Sequence, residues 1–123
     1  NYTLTNYNGV GSQNGISVGY FNGQWHLCPG YTTTPGTWYQ MVGTFDGSTM
    51  IQYVNGTFFS DSSGVGASSA NGGAIRIARR WDGDLSTSRI FPGDIAIVRI
   101  YNTVLTGSQV TQNFNAERGR FGL

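Results

Sequence analysis

The stretch of residues 38–57 constrains the fold of this chain most, because it places three strand-like segments around two tight turns. Aromatic and β-branched residues, which favour strands, fill residues 38–45 and 50–54 and begin again at Thr57. Asp46-Gly47 separates the first two segments, and both residue types tolerate the backbone angles of turns. Asn55-Gly56 is the strongest short hairpin signal, because a type I′ turn needs positive φ at both central positions. The stretch therefore predicts an antiparallel β-meander.

Further strands are predicted on both sides of this meander. Residues 1–5, 16–21 and 24–28 are candidate strands, whereas residues 61–73 consist mostly of Ser, Gly and Ala and predict a mobile loop or an extended edge. Residues 93–101 carry apolar side chains at odd and even positions alike, which predicts a central strand covered on both faces. We therefore expect an all-β protein.

A helix is predicted near the C-terminus. Thr106 and Gln109 have the spacing of a capping box, in which each side chain binds a backbone N–H of the other. Val110 and Phe114 are four residues apart and share one helix face. The pattern predicts a short helix over residues 107–116, and Phe121 beyond it is placed to dock on the sheet.

Size and charge limit the classes of partner. A length of 123 residues fits one domain. The seven cationic residues are all arginines, and with five Asp and one Glu they leave a net charge of +1, which gives no reason to expect nucleic acid or an anionic membrane as partner. No apolar run is long enough to predict a transmembrane helix. Cys28 is the sole cysteine, which predicts a buried free thiol.

Several of these segments resemble a known family. Val42-Gly-Thr-Phe-Asp-Gly47 and Tyr53-Val-Asn-Gly56 resemble the central hairpin of laminin G-like domains in the concanavalin A-like lectin/glucanase superfamily. Residues 74–80, 91–102 and 105–110 resemble its later strands and helical turn. The ending, residues 112–123, resembles laminin G-like domains of tailed-phage and other viral structural proteins. The resemblance implies an antiparallel jelly-roll β-sandwich, one domain over residues 1–123, expected to be the C-terminal part of a longer chain.

The sequence lacks a recognisable catalytic set. Glycoside hydrolases need two carboxylic acids across one sugar bond, whereas the single glutamate, Glu117, lies near the end of the chain. Cys28 and His26 have no acidic residue close in sequence to orient the imidazole. One His and one Cys cannot supply a zinc site. We therefore predict that the protein is not an enzyme.

The segment around Trp81 is the ligand site predicted from the sequence. An aromatic ring can stack on a sugar while guanidinium and carboxylate groups bind its hydroxyls, and sandwich loops commonly carry binding. The predicted ligand-binding residues are Arg80, Trp81, Asp82 and Arg89. Two alternatives stay open. Asp82 and Asp84 could help to hold calcium with further oxygen ligands, or the segment is a turn pinned by Arg–Asp pairs around a partly buried Trp81. No other cofactor is predicted.

Two functions follow from the sequence and the resemblance. The first is a non-enzymatic virion structural protein, a capsid decoration, tail or fibre module on the virion surface that contacts host glycans. The alternative is a secreted or cell-surface carbohydrate-binding module. Expected partners are other virion subunits or further copies of the chain, together with glycans. Residues 1–5 and 61–73 are weak candidate edges, which predicts that pairing strands come from an upstream part of the polypeptide or from neighbouring subunits, with contacts at the N-terminal region and residues 118–123.

Overall fold

The computed structural model describes residues 2–7, 15–64, 66, 77, 91 and 93–123. In these ranges the chain forms strands, one α-helix and a final 3-10 turn over Arg118–Arg120. The elements are β1 (Tyr2–Tyr7), β2 (Gly15–Phe21), β3 (Trp25–Leu27), β4 (Tyr31–Thr32), β5 (Met41–Phe45), β6 (Met50–Val54), β7 (Thr57–Ser62) and α1 (Gly107–Glu117). The prediction of antiparallel β-structure with one short C-terminal helix is confirmed.

The strands form two antiparallel sheets. In the first sheet, β2 is central: β1 pairs along one side, while β3 and β4 share the other side. The second sheet has the order β5-β6-β7, which is the meander predicted from residues 38–57. Positive φ at Asn55 (49°) and Gly56 (76°) gives the predicted hairpin turn between β6 and β7.

Two apolar clusters hold these layers together. Between the sheets, Val18 and Tyr20 of β2 pack with Cys28 and Met50, and Phe45 lies against them. The thiol of Cys28 is free and buried, as predicted. On the other face of the second sheet, a second cluster joins the sheet to α1 and consists of Tyr53, Leu105 and Val110, with Val42 and Ile51 at its edge.

Helix α1 begins where the capping box predicts. The Thr106 hydroxyl accepts from the backbone N–H of Gln109, and the Gln109 side chain accepts from the backbone N–H of Thr106. Val110 and Phe114 form its buried face. The ring of Phe121 lies 5.2 Å from that of Trp38, so the tail docks beside the start of β5. Neither helical element in the described ranges has the length and apolar character needed to cross a membrane.

Strand β5 is shorter than predicted, because at Gln40 a side-chain hydrogen bond replaces one of the backbone hydrogen bonds to the neighbouring chain segment. The Gln40 backbone N–H donates to the Asn55 side-chain Oδ1 at 2.9 Å, while its carbonyl accepts from the Asn55 backbone N–H. The regular ladder therefore ends at the pair Met41 and Val54. Strand β7, in contrast, continues through Asp61 and Ser62, so the first two residues of the predicted loop or extended edge are extended.

The prediction of a central strand over residues 93–101 is wrong for the described part of the chain. Residues 94–101 form no strand there, and Val98 and Ile100 are 51% and 69% exposed. This segment instead runs along α1, held by an ion pair from Arg99 to Glu117 and a hydrogen bond between Tyr101 and Asn113. A continuous apolar run favours a strand, but the strand forms only where a neighbouring backbone completes the ladder. The strand predicted at residues 74–80 lies outside the described residues.

Candidate binding site

The binding residues predicted from the sequence cannot be placed in the fold. Arg80, Trp81, Asp82 and Arg89 lie outside the described residues, as does Asp84 of the calcium alternative. Both interpretations of that segment therefore stay predictions. In the ranges that the structure describes, no group of three or more His, Cys, Asp or Glu side chains is arranged to hold a metal ion.

The structure shows a different concave site, an open cleft of about 250 Å³ between the two sheets. It lies where β4 of the first sheet approaches the β6–β7 hairpin of the second. We call it the aromatic cleft, and its lining residues are Tyr31, Val54, Asn55, Thr57, Phe58 and Phe59. Val54 is buried, whereas Phe58 and Phe59 are 57% and 38% exposed. The cleft therefore presents apolar rings to solvent.

A β-bulge brings Phe58 and Phe59 into the same cleft. In an undistorted strand, neighbouring side chains point to opposite faces of the sheet. Here the register shifts: Tyr53 pairs with Phe58 while Gln52 pairs with Ser60, so Phe59 is an extra residue on β7. A bulge redirects side chains and bends the strand. Both phenylalanines consequently line the aromatic cleft.

The rings of the cleft form a corner rather than a flat surface. Tyr31 meets Phe59 edge-to-face, with ring centroids 5.0 Å apart and planes at 83°. Phe58 packs edge-to-face on Tyr53, and Tyr39 lies behind Tyr31 at 5.7 Å. Edge-to-face pairs are favourable arrangements that fix ring orientation. The exposed ring of Phe59 and the half-buried ring of Tyr31 are therefore held at nearly a right angle before any ligand arrives.

Polar groups stand beside these rings. The Oδ1 of Asn55 accepts from the Gln40 backbone N–H at 2.9 Å, which fixes the amide plane. Among the described residues the Asn55 Nδ2 donates to no acceptor, so its two N–H groups are available to a ligand. The exposed Thr57 adds a hydroxyl, which can donate and accept. A few fixed polar groups among aromatic side chains are typical of small-molecule sites.

Helix α1 supports the turn that forms one end of the cleft. The Thr111 hydroxyl donates to the Gly56 carbonyl oxygen at 2.7 Å. A Cβ at Gly56 would lie 2.8 Å from the Cβ of Phe114, so the helix packs directly on this glycine. The turn is therefore held from two sides: by the backbone of Gln40, which directly precedes β5, and by α1.

Two described carboxylates, Glu117 in α1 and Asp46 in the β5–β6 turn, accept hydrogen bonds that stabilise the fold. Glu117 accepts from Arg99 at 2.5 Å and from Arg120 at 3.3 Å, and the Arg99 hydrogen bond lowers the pKa of Glu117 below its ordinary value. Asp46 accepts from the amides of Thr49 and Ser48, which lowers its pKa as well. A carboxyl group held ionised in this way is unsuited to be the general acid of sugar cleavage.

A second pair of partly exposed rings lies at the β2–β3 hairpin. Phe21 and Trp25 pack together with centroids 5.2 Å apart and are 38% and 45% exposed. Trp38 is 39% exposed as well and lies against Phe121, so neither tryptophan is buried. The Phe21–Trp25 pair lines no part of the aromatic cleft, so it provides a matched control for that site.

The cleft residues Tyr31, Asn55, Phe58 and Phe59 were not among the binding residues predicted from the sequence. The signal that was available is the adjacent pair of phenylalanines directly after the Asn55-Gly56 turn, because two large apolar neighbours cannot both face a core in a regular strand. The contribution of Tyr31 had no local signal, since its cleft partners lie more than twenty residues away in the chain.

Comparison with known proteins places the fold. A laminin G family model, described as the concanavalin A-like lectin/glucanases superfamily, matches residues 2–111. A crystal structure of an S-layer domain-containing protein (residues 221–444) from Clostridium thermocellum is similar over 80% of this chain and 51% of that chain, with a TM-score of 0.56 and 18% identity. The chain thus spans about half the length of that structure, and the likeness bears on the fold. No curated protein matches the sequence.

Proposed function

The chain belongs to the laminin G-like family of the concanavalin A-like lectin/glucanase superfamily, and from this membership we propose that it is a non-catalytic carbohydrate-binding module of an extracellular surface. The observation that carries the proposal is the aromatic cleft. Its exposed rings can stack on the C–H faces of a sugar, while Asn55 and Thr57 can bind hydroxyl groups. The family resemblance supports this choice of ligand class.

The surface location is part of the proposal. The similar crystal structure comes from an S-layer domain-containing protein, and this supports a place on a cell surface. The narrower alternative is a virion structural module, and it rests on the resemblance of residues 112–123 to viral laminin G-like domains. Purification of assembled particles would discriminate the two: a virion module is present at a fixed ratio to the other particle proteins, whereas a cell-surface module is absent from them.

A glycan-binding assay with matched variants tests the carbohydrate proposal. Phe59→Ala removes a ring of the aromatic cleft, and Phe21→Ala is its control, because both phenylalanines lie in strands, are 38% exposed and contact one other ring. We expect Phe59→Ala to weaken binding to an immobilised glycan panel by about tenfold or more, equivalent to about 1.4 kcal/mol. Phe21→Ala should bind as the unmodified protein does.

The same assay separates this site from the one predicted from the sequence. If Trp81→Ala abolishes binding while Phe59→Ala leaves it unchanged, the glycan site is the Trp81 segment and the aromatic cleft is not used. Equal melting temperatures of the variants would show that each substitution acts on binding rather than on folding. If the protein retains no glycan of the panel, the carbohydrate proposal itself is wrong.

A further inference from the structure

We infer that the aromatic cleft binds an uncharged pyranose sugar as a single terminal unit, without a metal ion and without ion pairs. This inference rests on the proposed function and specifies its ligand. It is drawn from the chemistry of the lining residues, the size of the cleft and the angle between its rings.

The lining residues select against charged sugars. None of the six carries a charge: three are aromatic, one is aliphatic, and Asn55 and Thr57 are neutral and polar. A carboxylate or sulfate entering this cleft would lose water without gaining a cationic partner, and an unpaired ion is costly to desolvate. A neutral sugar loses less, because its hydroxyls can bind the Asn55 amide and the Thr57 hydroxyl while its apolar face covers a ring.

The size and shape of the cleft favour one ring rather than a chain. Its volume of about 250 Å³ lies below the range of roughly 300–1,000 Å³ that is usual for clefts holding drug-sized ligands. The rings of Tyr31 and Phe59 stand at 83°, so a pyranose that lies flat on one ring meets the other at its rim. Such a corner fits the end of a glycan better than its middle.

Sugar binding at the two candidate sites should differ in its dependence on salt. A site built from Arg80, Asp82 and Arg89 would attract charged sugars and weaken as salt rises, because exposed charges are screened. The aromatic cleft offers no such charges, so its binding should be nearly independent of ionic strength. It should also resist a chelator, since none of its lining residues is an anionic ligand for calcium.

Competition measurements test the inference on the full chain. The competitors are methyl β-glucoside and N-acetylglucosamine, which are neutral, and glucuronic acid and N-acetylneuraminic acid, which are acidic. We expect a neutral sugar to displace the protein from the glycan panel and the acidic sugars to fail. Binding should change less than about twofold between roughly 0.05 M and 0.5 M salt, over which the Debye length shortens severalfold, and should survive a calcium chelator.

The variant Asn55→Asp tests the role of a single donor atom, the Asn55 Nδ2. Aspartate keeps the Oδ1 acceptor for Gln40 and is compatible with an Xaa-Gly type I′ turn, but it replaces the Nδ2 donor by a second oxygen with negative charge. We expect an unchanged melting temperature and about tenfold weaker binding of the neutral sugar, the loss of roughly one hydrogen bond's worth of affinity. Unchanged sugar binding by this variant would contradict the assigned role of Asn55.

Failure of the inference is distinct from failure of the proposed function. Preference for an acidic sugar, strong salt dependence or loss of binding with the chelator would overturn the inference while leaving carbohydrate binding in place. Absence of binding to any sugar would overturn the proposed function as well.

Discussion

At the scale of single residues, Gln52 replaces a missing part of the first sheet's ladder. Strands β3 and β4 both pair with β2, and the Cys28 backbone N–H still donates to the Val18 carbonyl oxygen at 2.9 Å, but the ladder is broken between Cys28 and β4. The fully buried Gln52 of the second sheet fills this gap: its Oε1 accepts from the Val18 backbone N–H at 2.9 Å, and its Nε2 donates to the Ile16 carbonyl oxygen at 3.3 Å. One side chain thus joins the two sheets by hydrogen bonds.

We predict that Gln52→Leu destabilises the protein by about 1–3 kcal/mol, because it leaves buried backbone groups of β2 without partners. Gln40→Leu is the matched control, since the Oε1 of Gln40 is already buried without a partner among the described residues. This control should cost little or even stabilise the fold. Urea unfolding of both variants measures the free energies. Equal losses for the two would contradict the role given to Gln52.

Acid should destabilise the fold through the carboxylates that are bound in the folded state. Hydrogen bonds from Thr49 and Ser48 lower the pKa of Asp46, and Arg99 lowers that of Glu117. A depressed folded-state pKa contributes stability that is present above the unfolded pKa of about 4 and is lost as pH falls through the lower folded-state pKa. We predict that the melting temperature falls below about pH 4. The double variant Asp46→Asn with Glu117→Gln should show a flatter decline, and an identical decline would contradict the prediction.

At the scale of elements, the β6–β7 turn and helix α1 depend on each other. The turn needs a residue with positive φ at position 56, and the helix needs a small residue there so that Phe114 can approach. The capping box starts α1 at the residue that brings Thr111 and Phe114 onto Gly56. The contact between Gly56 and α1, beside the aromatic cleft, therefore depends on both the hairpin turn and the helix cap.

Substitution of two glycines can separate the cost of backbone strain from the cost of this contact. Gly56 and Gly36 have almost the same φ, +76° and +78°, but a Cβ meets Phe114 only at Gly56, while nothing lies within 4 Å of it at Gly36. We predict that Gly36→Ala costs about 1–2 kcal/mol through strain alone. Gly56→Ala should cost about 1–3 kcal/mol more, as overpacking does. Thermal unfolding measures the stability of the two variants. Equal losses of stability would show that α1 shifts at no cost to make room for the new Cβ, and would contradict the prediction.

At the scale of the whole molecule, residues 95–104 leave an apolar surface beside α1. Its exposed side chains are Ile95, Ile97, Val98, Ile100, Tyr101 and Val104. Exposed apolar patches of this kind commonly mark contacts with other chains. This patch is a further candidate surface for pairing with other subunits or copies of the chain, besides the N-terminal region and residues 118–123 expected from the sequence. Both the pairing and the assignment of residues 1–123 to one domain stay predictions.

We predict concentration-dependent self-association of the 123-residue chain in sedimentation experiments. Ile100→Lys should weaken it, because a charged group would have to be desolvated in the contact. Gln112→Lys adds the same charge at an exposed position of α1 outside this patch and should leave association unchanged. A chain that stays monomeric at all accessible concentrations would contradict this use of the surface.

The sequence by itself determined the elements whose causes are local. The Asn55-Gly56 turn, the meander around it and the capped helix follow from interactions within a few residues, so short patterns were enough to predict them. Tertiary structure decided the rest. The bulge at Phe59 depends on how β7 pairs with β6. The role of Gln52 depends on a gap in the ladder of the other sheet. The aromatic cleft forms because Tyr31 lies against a hairpin that is distant in the sequence. Residues 94–101 show the same limit: their apolar side chains at odd and even positions favour a buried strand, but a strand forms only where another backbone supplies its hydrogen bonds.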